Sequence, residues 1–120
     1  MTFRVFILIF VLVTAAQPVD AQSTGVKFFE EKIRPVLVEH CYECHSSSSG
    51  KARGGLKVDS KDALLRGGDT GPAVVSKSLS KSMLFQSLLY LDDADYQMPP
   101  KGKLPDSVID DFRRWILIRE

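Results

Sequence analysis

Two cysteines and a histidine lie close together in the chain, at a spacing that could support cofactor chemistry. They form the run Cys41-Tyr42-Glu43-Cys44-His45, which has the C-x-x-C-H pattern of a c-type haem attachment site. On a helical turn, two thiols three positions apart can reach the two vinyl groups along one edge of a porphyrin. The histidine that follows can then direct its imidazole at the iron. The run therefore predicts one covalently attached haem c, bound through Cys41 and Cys44, with His45 as an axial ligand.

Two other uses of the cysteine pair have to be weighed against haem. A thioredoxin-like dithiol also uses C-x-x-C, but it expects a βαβ pattern around the pair, and this sequence has none. A zinc site could be assembled from His40, Cys41, Cys44 and His45. Four ligands within six residues do not easily close a tetrahedron, because structural zinc sites separate two ligand pairs. The pattern thus favours haem, and His40 is expected to be a packed or half-exposed histidine.

The second axial ligand is predicted from the methionines. Met98 lies in Gln97-Met98-Pro99-Pro100, where the prolines stiffen the backbone. A thioether is a soft ligand suited to an electron-transfer haem, and it raises the reduction potential. The alternative is Met83, which falls in a helical pattern with leucines, where methionine usually fills a core. Met98 is the predicted ligand of iron.

The apolar spacing predicts four helices. The first covers 26–40, with a kink or a restart at Pro35. The second covers 61–66, between a Ser60 cap and Gly67. The third opens at Ser78 or Ser80 and carries Leu84, Leu88 and Leu91 along one side, and the fourth runs from Pro105 to the end of the chain. No segment sustains an alternation of period two, so the expected fold is all-α, with N- and C-terminal helices packed around one haem.

The start of the chain predicts export. Arg4 precedes an unbroken apolar run from Val5 to Val13, and Val19-Asp20-Ala21 fits a small-residue cleavage site. This is the layout of a secretory signal peptide, and the run is shorter than the ~20 apolar residues that span a bilayer. We expect a signal peptide at 1–21, a polar leader at 22–27 and one domain at 28–118, located in the periplasm or an equivalent compartment. Membrane association is expected only if the signal segment is retained as an anchor.

Composition limits the possible functions. The chain has 120 residues, enough for one domain, and 16 basic against 15 acidic residues, for a net charge of +1. That balance gives no indication of a nucleic-acid partner. The predicted function is electron transfer to and from redox partner proteins, without an enzymatic reaction on a substrate. The alternative is a haem-based small-ligand sensor with an open distal site. Arg53 is a candidate contact for a haem propionate, and the other interpretation of it is a solvated loop charge.

Several motifs together resemble a known family. They run in the order Ile33-x-Pro35-x-Leu37, Cys41-x-x-Cys44-His45, Gly54-Gly55-Leu56-Lys57-Val58-Asp59, Gly67-Gly68, Gly71-Pro72-Ala73, Met98-Pro99-Pro100 and Trp115-Ile116. In this combination the chain resembles the planctomycete cytochrome c domain over about 28–118. The resemblance implies a class I-like cytochrome c fold, with His45 and Met98 as axial ligands. It also implies that the Pro72 carbonyl holds the second nitrogen of the His45 ring, although Pro72 could equally be a turn residue.

Overall fold

Short helices, with two small strands between them, make up the secondary structure of this chain. The computed structural model describes residues 11–17 and 21–119. The α-helices are α1 (Ala21–Phe28), α2 (Arg34–His40), α3 (Lys61–Arg66), α4 (Met83–Leu88) and α5 (Asp106–Ile118), and the strands are β1 (His45–Ser46) and β2 (Lys51–Ala52). A π-helical turn, Phe29–Ile33, joins α1 to α2, and a 3-10 turn, Arg53–Gly55, follows β2.

The prediction of an all-α fold is wrong. β1 and β2 pair as an antiparallel sheet, with His45 opposite Ala52 and Ser46 opposite Lys51, and helices α1 to α4 run for only six to eight residues each. Strands of two residues are too short to produce an alternating pattern, so hydrophobic periodicity could not reveal them. They form because the serine-rich loop folds back on itself. The Gly50 N–H donates to the Ser47 carbonyl at 3.1 Å, and Gly50 has a φ of +69°, which glycine adopts readily.

The first helical region begins earlier than predicted and is interrupted. α1 starts at Ala21, the last residue of the predicted signal peptide, and covers the segment that was expected to be a polar leader. Proline has no N–H to donate in a helix, and the chain accommodates Pro35 by passing through the π-helical turn and starting α2 with the proline in its first turn. The predicted restart at Pro35 is therefore what the structure has.

The later helices follow their local signals closely. α3 has the predicted bounds, because the Ser60 hydroxyl accepts the Ala63 N–H at 3.1 Å and Gly67 ends the helix at a φ of +69°. α4 is shorter than predicted, since it begins at Met83 and ends before Leu91, which is exposed. α5 begins one residue after Pro105.

The core lies where the π-helical turn and α2 meet α4 and α5. Its buried members include residues from each of these elements: Ile33, Leu37, Leu84, Phe85, Leu88, Ile109, Phe112, Trp115 and Ile116. The ring of Phe29 lies 5.3 Å from that of Trp115, and Phe112 meets Trp115 edge-on at 6.4 Å. The contact between Phe29 and Trp115 fixes α5 against the N-terminal helical region, which ends directly before the C-x-x-C-H run.

The predicted signal segment falls largely outside the described residues. Residues 1–10 and 18–20, which hold most of the apolar run and part of the cleavage site, are not described. Residues 11–17 form neither helix nor strand. Over the residues that the structure describes, no helix has the length and apolar character needed to cross a membrane.

Candidate haem site

The C-x-x-C-H run forms a tight turn directly after α2. The Cys41 N–H donates to the Leu37 carbonyl at 2.9 Å, which continues the helix by one bond. The Cys41 carbonyl then accepts two N–H groups, that of Cys44 at 3.2 Å and that of His45 at 3.0 Å. Cys41, Cys44 and His45 are all half-buried. These backbone bonds therefore bring the two cysteines and the histidine into one turn, with part of each residue still accessible.

A buried serine fixes the end of this turn. Ser46 has no exposed surface, and its hydroxyl donates to the Tyr42 carbonyl at 2.6 Å. The same oxygen accepts the N–H of Ser49 at 3.2 Å. The serine run thus satisfies backbone groups next to His45.

The His45 ring has a defined orientation and tautomer. Its Nδ1 lies 3.1 Å from the Leu56 carbonyl oxygen. A carbonyl oxygen can only accept, so Nδ1 donates to it, and Nε2 is the ring nitrogen left to bind a metal. The backbone of His45 is held by the same segment, because its carbonyl accepts the Val58 N–H at 2.9 Å. The extended piece at 56–58 thus clamps both the ring and the main chain of the histidine.

The partner of the ring differs from the one that the family resemblance implied. The Pro72 carbonyl accepts the N–H of Met83 at 3.2 Å, whereas the His45 ring is held by Leu56. Pro72 therefore connects the loop after α3 to the start of α4, and its predicted contact with His45 has no support from this geometry. Sequence reasoning missed Leu56 because the contact uses a main-chain oxygen, which no side-chain pattern encodes.

The 56–58 segment is itself positioned by a close backbone approach. Gly68 lies so near the 3-10 turn that a Cβ at this position would be 2.3 Å from the Gly54 carbonyl oxygen and 3.1 Å from the backbone nitrogen of Leu56. The neighbouring N–H of Asp69 donates to the same Gly54 oxygen at 2.8 Å. The glycine pair after α3 therefore allows this loop to support the segment that holds His45.

Arg53 lies close to the motif through its main chain. Its N–H donates to the Cys44 carbonyl at 3.1 Å, while the residue as a whole is exposed. The predicted propionate contact therefore remains a prediction. His40 is also exposed, and its Nε2 lies 3.7 Å from a carboxylate oxygen of Glu39.

Met98 is held through its backbone and the proline that follows it. Its N–H donates to the Ser87 carbonyl near the end of α4 at 3.1 Å, and Met98 itself is half-buried. Pro99 is buried, and its carbonyl accepts the hydroxyl of Tyr90. Met83, the alternative ligand, is the first residue of α4 and is half-buried rather than part of the core.

The electrostatics of the cysteine pair differ from those of a redox-active dithiol. Burial raises the pKa of the Cys41 thiol to about 11. Cys41 also follows the C-terminal end of α2, where the helix dipole disfavours a negative charge. The reactive thiols of C-x-x-C oxidoreductases have lowered pKa values and often lie at helix N-termini. Both features of Cys41 have the opposite sign, which argues against thiol–disulfide exchange.

A zinc site finds no support either. Within residues 11–17 and 21–119, no group of three or more histidine, cysteine, aspartate or glutamate side chains is arranged to hold a metal ion. A cleft of about 500 Å³ is lined by residues of the π-helical turn, of α3 and of the end of α5, together with Tyr42. Its lining does not include Cys41, Cys44 or His45.

An acidic side chain links the serine loop to the segment that clamps His45. Asp59 follows that segment, and its carboxylate accepts the Ser47 N–H at 2.6 Å. This hydrogen bond stabilises the ionised form, so it holds the pKa of Asp59 below its ordinary value. The loop around the haem motif is therefore held partly by a charge-assisted bond.

Comparison with protein families identifies the family to which this chain belongs. The family model described as Planctomycete cytochrome C matches residues 41–102, which is 62 of the 120 residues. The chain belongs to the planctomycete cytochrome C family. No curated protein and no solved structure matches the chain.

The matched region of this cytochrome C domain contains the whole candidate site. Cys41 and His45 stand at its beginning and Met98 near its end, with Leu56 and Gly68 between them. Family membership implies haem binding and haem-based electron transfer, and cytochrome c domains typically work outside the cytoplasm. The residues present fit the group, because the two cysteines share one turn with the histidine, and the Leu56 carbonyl engages Nδ1 of that ring, which leaves Nε2 for a metal.

Proposed function

We propose that this cytochrome C domain transfers single electrons through one haem c. In this proposal the haem is attached covalently at Cys41 and Cys44, with His45 and Met98 as axial ligands. The observation that carries the proposal is the hydrogen bond from His45 Nδ1 to the Leu56 carbonyl, which prepares Nε2 as a metal ligand within a C-x-x-C-H turn. Haem supplies a reversible one-electron couple at iron.

The proximal residues bind and orient the group. Cys41 and Cys44 would hold the porphyrin through two thioether bonds, and the addition of each S–H across a vinyl group would need no oxidant. The Leu56 carbonyl accepts the Nδ1 proton of His45, which fixes the plane of the ring and makes Nε2 a more basic ligand. The Val58 N–H holds the same histidine by its carbonyl, so the imidazole is pre-organised.

Met98 fills the distal position in this proposal. Its backbone is anchored at the end of α4, and its thioether would raise the reduction potential relative to a harder ligand. A thioether on the distal face excludes small molecules from that position. This is the difference between an electron carrier and the sensor that the sequence left as an alternative.

The cellular setting extends the same proposal. We propose a signal peptide at 1–21, a leader at 22–27 and a functional domain at 28–118, exported to the periplasm or an equivalent compartment. The partners would be redox proteins rather than nucleic acid, because 16 basic residues are balanced by 15 acidic ones.

The attachment of haem can be tested on protein matured in an export-competent host. Intact mass should rise by one haem, and the haem should remain with the protein through acid–acetone extraction. The variant Cys41→Ser with Cys44→Ser should lose covalent haem. His40→Ala is the matched control for His45→Ala, because His40 is exposed and adjacent to the motif. Haem that extracts freely from the wild-type protein would show that the attachment is not covalent.

Ligation can be tested by exposing the reduced protein to carbon monoxide. A protein with Met98 on iron should bind carbon monoxide weakly, and Met98→Ala should bind it readily. Strong binding by the wild-type protein would favour the sensor.

A further inference from the structure

The loop that carries Met98 is closed by a hydrogen bond at its base. We call residues 90–99 the Met98 strap. At its base, the hydroxyl of Tyr90 donates to the carbonyl of Pro99. A second bond crosses the strap, from Gln97 Nε2 to the Leu91 carbonyl at 3.1 Å. The strap is therefore a closed loop with a cross-brace rather than a freely hinged segment.

Tyr90, which makes the bond at the base of the strap, has an unusual backbone conformation. Its φ is +56°, in the left-handed region that bulky side chains rarely adopt. A residue is held in such a conformation only where the surrounding structure determines it, and such sites often coincide with functional positions. The left-handed turn comes two residues after the end of α4, and the tyrosine ring is half-buried. The hydroxyl of this ring reaches the carbonyl of the residue next to Met98.

We propose that Tyr90 is a positioning residue that holds the Met98 thioether at the iron. This inference rests on the proposed function, in which Met98 is the distal ligand. A methionine side chain has three rotatable bonds, so its sulfur can be placed only as well as its backbone is held. The backbone of Met98 has one direct bond of its own, to Ser87, and the Tyr90 bond fixes the adjoining Pro99.

The size of the effect follows from a two-state opening of the strap. Carbon monoxide binds iron only when the sulfur has left, so its apparent affinity is proportional to the open fraction. The net contribution of one hydrogen bond corresponds to roughly a two- to tenfold change in an equilibrium constant. Removal of the Tyr90 hydroxyl should therefore raise the affinity of the ferrous protein for carbon monoxide by about two- to tenfold.

The test compares Tyr90→Phe with Tyr96→Phe in the intact haem protein. The first variant keeps the ring and the backbone but removes the hydroxyl, and the second removes the hydroxyl of a tyrosine in the same strap that is 50% exposed. Two readouts are needed, carbon monoxide affinity and the exchange rate of the Met98 amide hydrogen. That amide donates to Ser87 in the closed strap, so its exchange reports opening independently of haem.

The expected result is a rise in both readouts for Tyr90→Phe, by a similar factor within that range, and no change for Tyr96→Phe. Faster exchange with unchanged carbon monoxide affinity would overturn the proposal, since Tyr90 would then brace the loop without positioning the ligand. A lower melting temperature with neither readout changed would also overturn it, because Tyr90 would then have a purely structural role. Met98→Ala separates the two levels. If it leaves carbon monoxide affinity unchanged, Met98 is not the ligand and both the proposed ligation and this inference fail.

Discussion

Replacement of Gly68 by alanine tests whether the histidine clamp depends on a backbone approach that leaves no room for a side chain. The added Cβ would lie 2.3 Å from the Gly54 carbonyl oxygen, and real Cβ atoms essentially never approach closer than 3.0 Å, so the backbone must yield by about 0.7 Å. The same Cβ would lie 3.1 Å from the Leu56 nitrogen. The displaced segment therefore includes Leu56, the residue whose carbonyl holds the His45 ring.

The magnitude follows from overpacking and from the hydrogen bonds at risk. Forcing one methyl group into a closely packed site costs about 1–3 kcal/mol, and the bond from Asp69 to the Gly54 oxygen is disturbed at the same time. At this chain size, each kcal/mol lowers the melting temperature by about 4–8 °C. The 3.1 Å contact of His45 with Leu56 would be weakened by a shift of this size, because hydrogen bonds fade beyond about 3.5 Å.

Two measurements on the haem protein check this reasoning. Thermal unfolding followed by circular dichroism should show Gly68→Ala about 5–20 °C below the wild type. The reduction potential should differ from that of the wild type by more than the scatter between replicate titrations, since the orientation of the imidazole tunes the iron. Gly25→Ala is the control, because a Cβ there meets nothing within 4 Å. A Gly68→Ala protein with the melting temperature and potential of the wild type would refute the argument.

Three further outcomes are expected. Met98→Ala should lose the weak iron–sulfur charge-transfer band of the oxidised protein and have a lower reduction potential. Met83→Ala should keep the band and the wild-type potential and lose only about 1–2 kcal/mol of packing stability, since Met83 is half-buried. The absorption spectrum and the reduction potential of the two variants show which methionine is the ligand. The double replacement of Cys41 and Cys44 by serine should lower the melting temperature, because the haem that is lost would be packed against apolar side chains only in the folded state. An unchanged melt would contradict this. The pKa of Asp59 is lowered in the folded state, so its stabilising contribution is present above the unfolded value near 3.9 and is lost as the pH falls through the lower folded value. Asp59→Asn should therefore be less stable than the wild type at pH 6, and the difference in unfolding free energy should narrow on acidification. Urea unfolding at several pH values measures this difference, and a difference that stays constant would contradict the reasoning.

The elements that the sequence predicted well are those with local signals at both ends. α3 has the predicted bounds because Ser60 caps it and Gly67 ends it, and both effects involve neighbours only a few residues apart. The start of α5 was predicted to within one residue from Pro105 and its apolar face. The two strands were missed because a pair of two-residue strands has no periodicity, and their pairing depends on hydrogen bonds made by the buried Ser46.

The candidate site likewise contains residues that a local sequence pattern reveals and residues that it does not reveal. The C-x-x-C-H run is a local pattern, so Cys41 and His45 could be named as candidates from the sequence, and the structure has both in one turn. The Leu56 carbonyl could not, because it reaches the His45 ring from eleven residues away through the main chain. Gly68 was noticed only as half of a glycine pair, and its importance appears when the 2.3 Å approach to Gly54 is known.

The proximal and distal sides of the proposed haem site are connected through the backbone of residues 72–73. The Ala73 N–H donates to the Leu64 carbonyl in α3 at 3.0 Å, and its own carbonyl accepts the Leu84 N–H in α4 at 3.0 Å. The Pro72 carbonyl adds a second bond to the start of α4. α3 leads into the glycine loop that supports the His45 clamp, and α4 ends where the Met98 strap is anchored. Residues 72–73 therefore link the helix that leads into the loop behind the His45 clamp with the helix at whose end the Met98 strap is anchored.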